Sequence, residues 1–256
     1  MLTLIVGHVL AVCIGLSLGL IGGGGSILAV PILVYVMGIS SKVAIAMSLV
    51  IVCMISIIGM IPHWQQGNVR FQIALAFIPA AMIGAYLGAT LTALPGITDT
   101  VQLVAFGLVM AIASMIMIRR GKQAIPKTNK PPLWKGLSQW IRIPGEGLGV
   151  GILTGFVGVG GGFIIVPALT IVEGIPIKEA IGTSLVIIAA NSIAGFLGYV
   201  NQQVAIDWQL VVSFTLAASG GTVVGAYLNR YVNAKQLQQG FGYFILAVAI
   251  FVLIKQ

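Results

Sequence analysis

Most groups that could bind a ligand in this chain are backbone amides at two glycine-rich segments. Residues 22–26 form the first segment and residues 158–162 the second, and a proline follows each at the same spacing, Pro31 or Pro167. Glycine runs interrupt helices, and a helix that restarts after the break offers free N–H groups and a positive dipole end. These groups suit an anion. The preceding helices end at the same breaks and present carbonyl groups, so the dipoles alone leave the sign of the ligand open.

Hydroxyl and amide side chains could complete such a site. Ser48 and Ser184 lie about eight residues into the predicted spans that follow the breaks, which places them roughly 12 Å deep, near the midplane. Thr183 and Asn191 add polar groups in the second half of the chain. A serine in a membrane helix often bonds its own backbone, so a structural role competes with a binding role. The candidate substrate-binding residues are Gly22, Gly23, Gly24, Gly25, Ser26, Ser48, Gly158, Gly160, Gly161, Gly162, Thr183, Ser184 and Asn191.

Acidic residues are rare and fall at the ends of the predicted spans, whereas a cation or proton pathway usually contains a carboxylate within the membrane. An anion is therefore the better candidate ligand. His8 and His63 are the only histidines, and neither has a carboxylate or cysteine at a usable spacing. An enzyme would need acid and base groups that converge in a cavity. We predict no catalytic residue, no metal site and no cofactor.

An internal duplication positions these residues twice. A shift of 136 residues aligns Gly22 with Gly158, Pro31 with Pro167 and Ser48 with Ser184. After one added residue, the segment 69–72 of the first half aligns with 206–209 of the second. Repeats of this kind indicate two copies of one structural unit. Breaks at corresponding places in two halves point to the binding site of a transporter.

Composition predicts an all-α polytopic membrane protein. Of the 256 residues, 59% are hydrophobic and 7% are charged, whereas a soluble domain carries about 25% charged residues. The net charge of +8 does not indicate a nucleic-acid partner, because seven of the thirteen basic residues lie between Arg119 and Arg142, beside membrane spans. Basic residues in that position mark the cytoplasmic face. The chain is therefore expected to lie in a membrane, with this basic segment on the cytoplasmic side.

Each half is predicted to contain one glycine-broken helix pair followed by three spans, which gives 8–10 membrane segments. As one helix, residues 2–37 would be about 54 Å long, too long for a hydrocarbon core of about 30 Å. The predicted organisation is a first repeat at 1–118, a basic cytoplasmic linker at 119–144 and a second repeat at 145–256.

Two orientations of the halves are open. If each broken pair crosses the membrane once, the halves are parallel, and nine basic residues lie inside against four outside. If each pair forms a hairpin, the halves are inverted, and the division is eleven against two. The charge distribution and the length of the first apolar region both favour inverted repeats.

Four glycine pairs with GxxxG spacing are predicted to pack helices closely and not to bind substrate. These pairs are Gly15 and Gly19, Gly84 and Gly88, Gly151 and Gly155, and Gly221 and Gly225.

The doubled motif resembles the TauE/SafE family, also called the 4-toluene sulfonate uptake permease family. The matching segments are Gly19-Leu-Ile-Gly-Gly-Gly-Gly-Ser26 before Pro31, Gly155-Phe-Val-Gly-Val-Gly-Gly-Gly162 before Pro167, and Lys178-Glu-Ala-Ile-Gly-Thr-Ser184. The resemblance covers nearly the whole chain. It implies an inner-membrane carrier for small organosulfur anions such as sulfite or sulfonates.

The function predicted from these features is secondary transport of a small anion, most specifically sulfite or an organosulfonate, with export as the expected direction. The site would lie at the two breaks near the midplane and work by alternating access. No ATP-binding motif is present, so a gradient or the membrane potential would supply the energy. An anion channel and a non-catalytic membrane subunit of a larger complex are the alternatives. Besides the substrate, the lipid bilayer is the expected partner, and a homodimer is left open.

Overall fold

The computed structural model of the chain describes residues 2–94, 97–122, 137–157, 161–171, 173–200 and 205–254. Every regular element in these ranges is helical, and a π-helical turn, Ile32–Val36, continues the second helix. The helices are α1 (Leu2–Ile21), α2 (Gly24–Pro31), α3 (Ser41–Gln65), α4 (Phe71–Leu91), α5 (Asp99–Lys122), α6 (Leu137–Val157), α7 (Gly162–Ile171), α8 (Ile177–Val200), α9 (Trp208–Asn229) and α10 (Ala234–Ile254). Among the described residues, seven helices are long and apolar enough to cross a membrane. The predicted all-helical, multi-pass membrane fold is confirmed.

The first glycine segment turns the chain back on itself. Gly22 has a φ of +73°, a conformation that side-chain-bearing residues rarely adopt. Gly25 then lies against Leu18 of α1, and Met37, which follows the π-helical turn, reaches Gly7 near the start of α1. Pro31 lacks the N–H that a regular helix would use, and the π-helical turn begins directly after it. The first broken pair is therefore a hairpin that returns towards the end where the chain began.

The two halves interlock through the four GxxxG pairs. Helix α1 packs on α9, and α4 packs on α6 in the corresponding way. A Cβ atom at any of the eight glycines would overlap a carbonyl oxygen of the partner helix. Only glycine permits two backbones to approach so closely. The packing role predicted for these pairs is confirmed.

Equivalent helices of the two halves run antiparallel where they meet. Along α3 and α8, Gly182 lies beside His63 while Gly195 lies beside Leu49, so the residue numbers run in opposite directions. The same holds for α5 and α10, where Gly107 faces Leu253 and Gly242 faces Ile118. These contacts support the inverted arrangement of the halves. The orientation of the protein in a membrane remains a prediction.

Helices reach into the predicted linker from both sides. Helix α5 continues to Lys122. Helix α6 begins at Leu137 and includes Pro144. Glu146 consequently lies inside a helix, in the first turn of its apolar part, Ile143–Val157. The rest of the linker, 123–136, lies outside the described residues.

Candidate substrate site

The two glycine breaks meet each other at the centre of the fold. Gly23, the residue before α2, lies against Gly162, the first residue of α7, and a Cβ atom on either would overlap the backbone of the other. Each of these residues stands at a helix N-terminus, where the first N–H groups have no partner within the helix. The contact therefore brings two N-termini, one from each half, to the same place.

Helix α8 runs alongside both breaks. A Cβ atom at Gly22 would lie 2.9 Å from the Ser184 hydroxyl oxygen, and one at Gly162 would lie 2.5 Å from the Ile188 side chain. Asn191 follows Ile188 by three residues and so shares its face of the helix. One face of α8 thus presents Ser184, Ile188 and Asn191 along the junction of the halves.

The three candidate serines use their hydroxyl hydrogens within their own segments. The hydroxyl of Ser26 donates to the carbonyl of Gly23 over 2.7 Å, which closes the first turn. Ser48 donates to Ile45 over 2.8 Å, and Ser184 donates to Ile181 over 2.7 Å. All three side chains are fully buried. To donate to an anion, each hydroxyl would have to rotate away from its own helix, which a single χ1 change permits.

Asn191 is the polar side chain at this site with the largest unmet hydrogen-bonding capacity. Its side chain is 1% exposed, and neither its amide nitrogen nor its amide oxygen has a hydrogen-bond partner. Burying such a group without a partner costs about 1–3 kcal/mol. A ligand that accepts from the amide nitrogen would recover part of that cost.

The remaining predicted residues occupy different places. Gly24 begins α2, Gly25 packs on α1, and Gly161, with a φ of +82°, packs on Thr154. The Thr183 hydroxyl accepts from the backbone N–H of Arg70 over 2.9 Å and so joins α8 to the start of α4. Gly158 and Gly160 lie outside the described residues.

Polar contacts hold the helices together at the end of the bundle where α5 leads into the linker, here called the linker end. Arg70 and Glu179 form an ion pair there, beside the bond between Arg70 and Thr183. Lys178 donates from its ammonium group to the carbonyl of Arg230 over 3.0 Å. Helices α4, α8 and α9 are thereby joined at this end.

The opposite end, here called the far end, has a cavity of about 370 Å³. Its lining residues come from the starts of α1, α3 and α9 and the segments before α3 and α9: Leu4, Met37, Ile39, Val43, Met47, Ala205, Asp207 and Leu210. Met47, at its inner limit, precedes Ser48. The Asp207 carboxylate accepts from the N–H of Leu210, so it caps α9.

The repeat alignment makes the two ends directly comparable. Val43 at the far end corresponds to Glu179 at the linker end, and Asp207 corresponds to Arg70. The far end therefore has no equivalent of the ion pair at these aligned positions. At the linker end the aligned residues form an ion pair, and at the far end they line the cavity.

Two features were not found from sequence. Arg70 and Glu179 are 109 residues apart, and no sequence pattern links them. His63 is fully buried and bonds through Nε2 to the carbonyl of Gly19 over 2.8 Å, yet it has no sequence signature of a site. Among the described residues, no group of three or more histidine, cysteine or acidic side chains could hold a metal ion.

Comparisons with known proteins agree on a class. The family model "Sulfite exporter TauE/SafE" matches residues 8–252. A "Probable membrane transporter protein" of Xylella fastidiosa is 33% identical over 243 residues, which cover 94% of this chain and 91% of the relative. "Probable membrane transporter protein YdhB" of Bacillus subtilis is 28% identical over 214 residues, which cover 83% and 85%. A "Probable membrane transporter protein" of Haemophilus influenzae is 25% identical over 259 residues, which cover 94% of each chain. No solved structure gives a significant match.

Proposed function

Because this chain belongs to the sulfite exporter TauE/SafE family and is a membrane transporter, we propose that it carries a small sulfur oxyanion across the inner membrane by alternating access. The observation that carries the proposal is the contact between Gly23 and Gly162. Two helix N-termini converge there beside Ser184, and Asn191 lies about two helical turns further along α8. Sulfite and sulfonates present several acceptor oxygens, which such donors can bind.

The donors favour a singly charged anion. Backbone N–H groups, hydroxyls and one amide carry no net charge, so they replace water around one negative charge more readily than around two. Hydrogen sulfite and short alkanesulfonates fit this condition. Ser48 and Ser184 would each turn one hydroxyl hydrogen towards the substrate, and Asn191 would donate from its amide nitrogen.

The difference between the two ends supports alternating access. The Arg70–Glu179 pair joins α4 to α8 at the linker end, where it would act as the closed gate, while the far-end cavity extends to Met47, next to Ser48. This arrangement corresponds to a carrier open at the far end. In the alternate state the ion pair would separate, and the residues around Val43 and Met47 would close together.

The linker end is proposed to face the cytoplasm. Arg70, Lys178 and Arg230 lie at this end, and cytoplasmic segments of membrane proteins carry an excess of basic residues. The far-end cavity would then face outwards.

Counterflow in proteoliposomes tests the function. With unlabelled sulfite or methanesulfonate inside, external labelled anion should enter faster than without it, because a carrier exchanges substrate across the membrane. When potassium and valinomycin clamp the membrane potential at zero, a channel or an accessory subunit shows no such acceleration. Gly23→Ala should abolish exchange, since the added Cβ atom overlaps Gly162.

Gly220→Ala is the matched control. It makes the same substitution in α9 at a glycine whose added Cβ atom would meet nothing within 4 Å. Exchange in this variant should equal that of the unaltered protein. Exchange that survives in Gly23→Ala would reject the assignment of the site to the breaks.

A further inference from the structure

His63 is a buried titratable group that the proposed site does not use. Its exposure is 0%, and it lies near the end of α3. Its Nε2 atom bonds to the carbonyl of Gly19, one helical turn before Gly22, so this nitrogen must carry a hydrogen. The other ring nitrogen, Nδ1, is buried and has no hydrogen-bond partner. In the neutral ring, Nδ1 is therefore a bare acceptor beside the candidate site.

His63 lies close to two helices of the candidate site: α1, which leads into the first glycine break, and α8, which carries Ser184. Through Gly19 it contacts α1 just before the break, and its Cβ atom lies beside Gly182, two residues before Ser184. The ring is thus held between α1, which ends at Ile21, and α8, which presents Ser184.

The charged side chains at the linker end on the elements packed around His63 make other contacts. Arg70, in the segment before α4, pairs with Glu179 of α8. Lys178 of α8 donates to the carbonyl of Arg230, at the end of α9. The part of α1 around Gly19 contributes no charged residue.

We propose that His63 takes up a proton at Nδ1 when the carrier binds its anion, so that the two ions bind and move together. The inference rests on the proposed transport of a singly charged anion. A lone imidazolium or a lone anion is costly in a buried site, whereas the two together are neutral. Proton and anion therefore raise each other's affinity, as linkage requires. The transport cycle then carries no net charge, and its direction follows the anion and proton gradients and not the membrane potential.

Methanesulfonate is the suitable probe because it remains a monoanion across the range, about pH 5 to 8, in which histidine usually titrates. In proteoliposomes, its KM should rise with pH by up to about tenfold per unit, the limit for one linked proton. Influx should acidify the interior of lightly buffered vesicles. A potassium diffusion potential should not change the final accumulation.

His63→Gln keeps a donor for the Gly19 carbonyl and removes the titratable nitrogen. In this variant the KM should no longer depend on pH, and accumulation should respond to potential by up to about 50-fold per 100 mV. His8→Gln is the matched control, because His8 lies in the exposed part of α1 and bonds its own helix at Leu4. It should behave like the unaltered protein.

The outcomes separate the two proposals. Flux that is independent of pH and sensitive to potential in the unaltered protein overturns the role of His63, as does a pH profile left unchanged by His63→Gln. If His63→Gln fails to fold, acidification by the unaltered protein supports the proposal, and influx without acidification overturns it. If neither sulfite nor methanesulfonate is exchanged at any of these pH values, the proposed function fails, and this inference fails with it.

Discussion

Weakening the Arg70–Glu179 pair should open the linker end more often without stopping transport. The Arg70 side chain is 52% exposed and that of Glu179 is 26% exposed, so water screens their attraction. An exposed ion pair of this kind stabilises a structure by about 0.2–1 kcal/mol. Glu179→Gln removes the charge and keeps the shape of the side chain. The population open at the linker end should therefore rise by about 1.4- to 5-fold.

Labelling of a single cysteine measures this population. Ser184→Cys places a thiol between the ion pair and the centre of the fold, in a background in which Cys13 and Cys53 are replaced. A membrane-impermeant maleimide applied to the linker end should react about 1.4- to 5-fold faster when Glu179→Gln is added. The exchanged pair, Arg70→Glu with Glu179→Arg, restores the attraction and should return the rate to its starting value.

Two results would contradict this reasoning. A labelling rate unchanged by Glu179→Gln would show that the pair does not hold the linker end closed. A rate that stays high in the exchanged pair would mean that the charge of Glu179, and not its attraction to Arg70, set the rate.

Three further predictions concern packing, the site and topology. Gly220→Ala should raise the stability of the detergent-solubilised protein by up to about 1 kcal/mol, because alanine has the higher helix propensity. Gly221→Ala should lower the stability by about 1–3 kcal/mol, because its Cβ atom overlaps the Val12 carbonyl. Equal shifts of the two variants in thermal unfolding would contradict this prediction. Asn191→Leu should stabilise the ligand-free protein by about 1–3 kcal/mol, because it removes a buried, unpartnered amide. The same change should abolish counterflow, because it removes a proposed donor to the substrate. Unchanged counterflow would exclude Asn191 from the site. Reporter fusions should place the linker inside and the C-terminus after Gln256 outside, and a cytoplasmic C-terminus would refute the inverted plan.

The helices and their breaks could be predicted because both follow from local sequence. Apolar length indicates a span, and four successive glycines interrupt a helix wherever they occur. The close approach at the GxxxG pairs was also predictable, since the absence of a side chain is a local property. Their partners were not, because Gly15 meets α9 only once the two halves interlock.

The site was predicted less completely because polar side chains in a membrane choose among several partners. Sequence placed Ser184 at the depth of the glycine breaks, and Gly22 does lie beside it. Sequence could not place Thr183 at Arg70, or His63 at Gly19, because each contact joins segments distant in the chain. The assignment of these residues to a substrate remains a proposal.

The interlocking of the halves has a consequence for biosynthesis. Leu20 at the end of α1 bonds to Asn229 at the end of α9, 209 residues later. At about 5–20 residues per second, α1 enters the membrane roughly 10–40 s before α9 is made. During that interval the glycine face of α1 is bare backbone that any helix with small residues could contact. The first half therefore completes its packing only after α9, near the end of the chain, has been made.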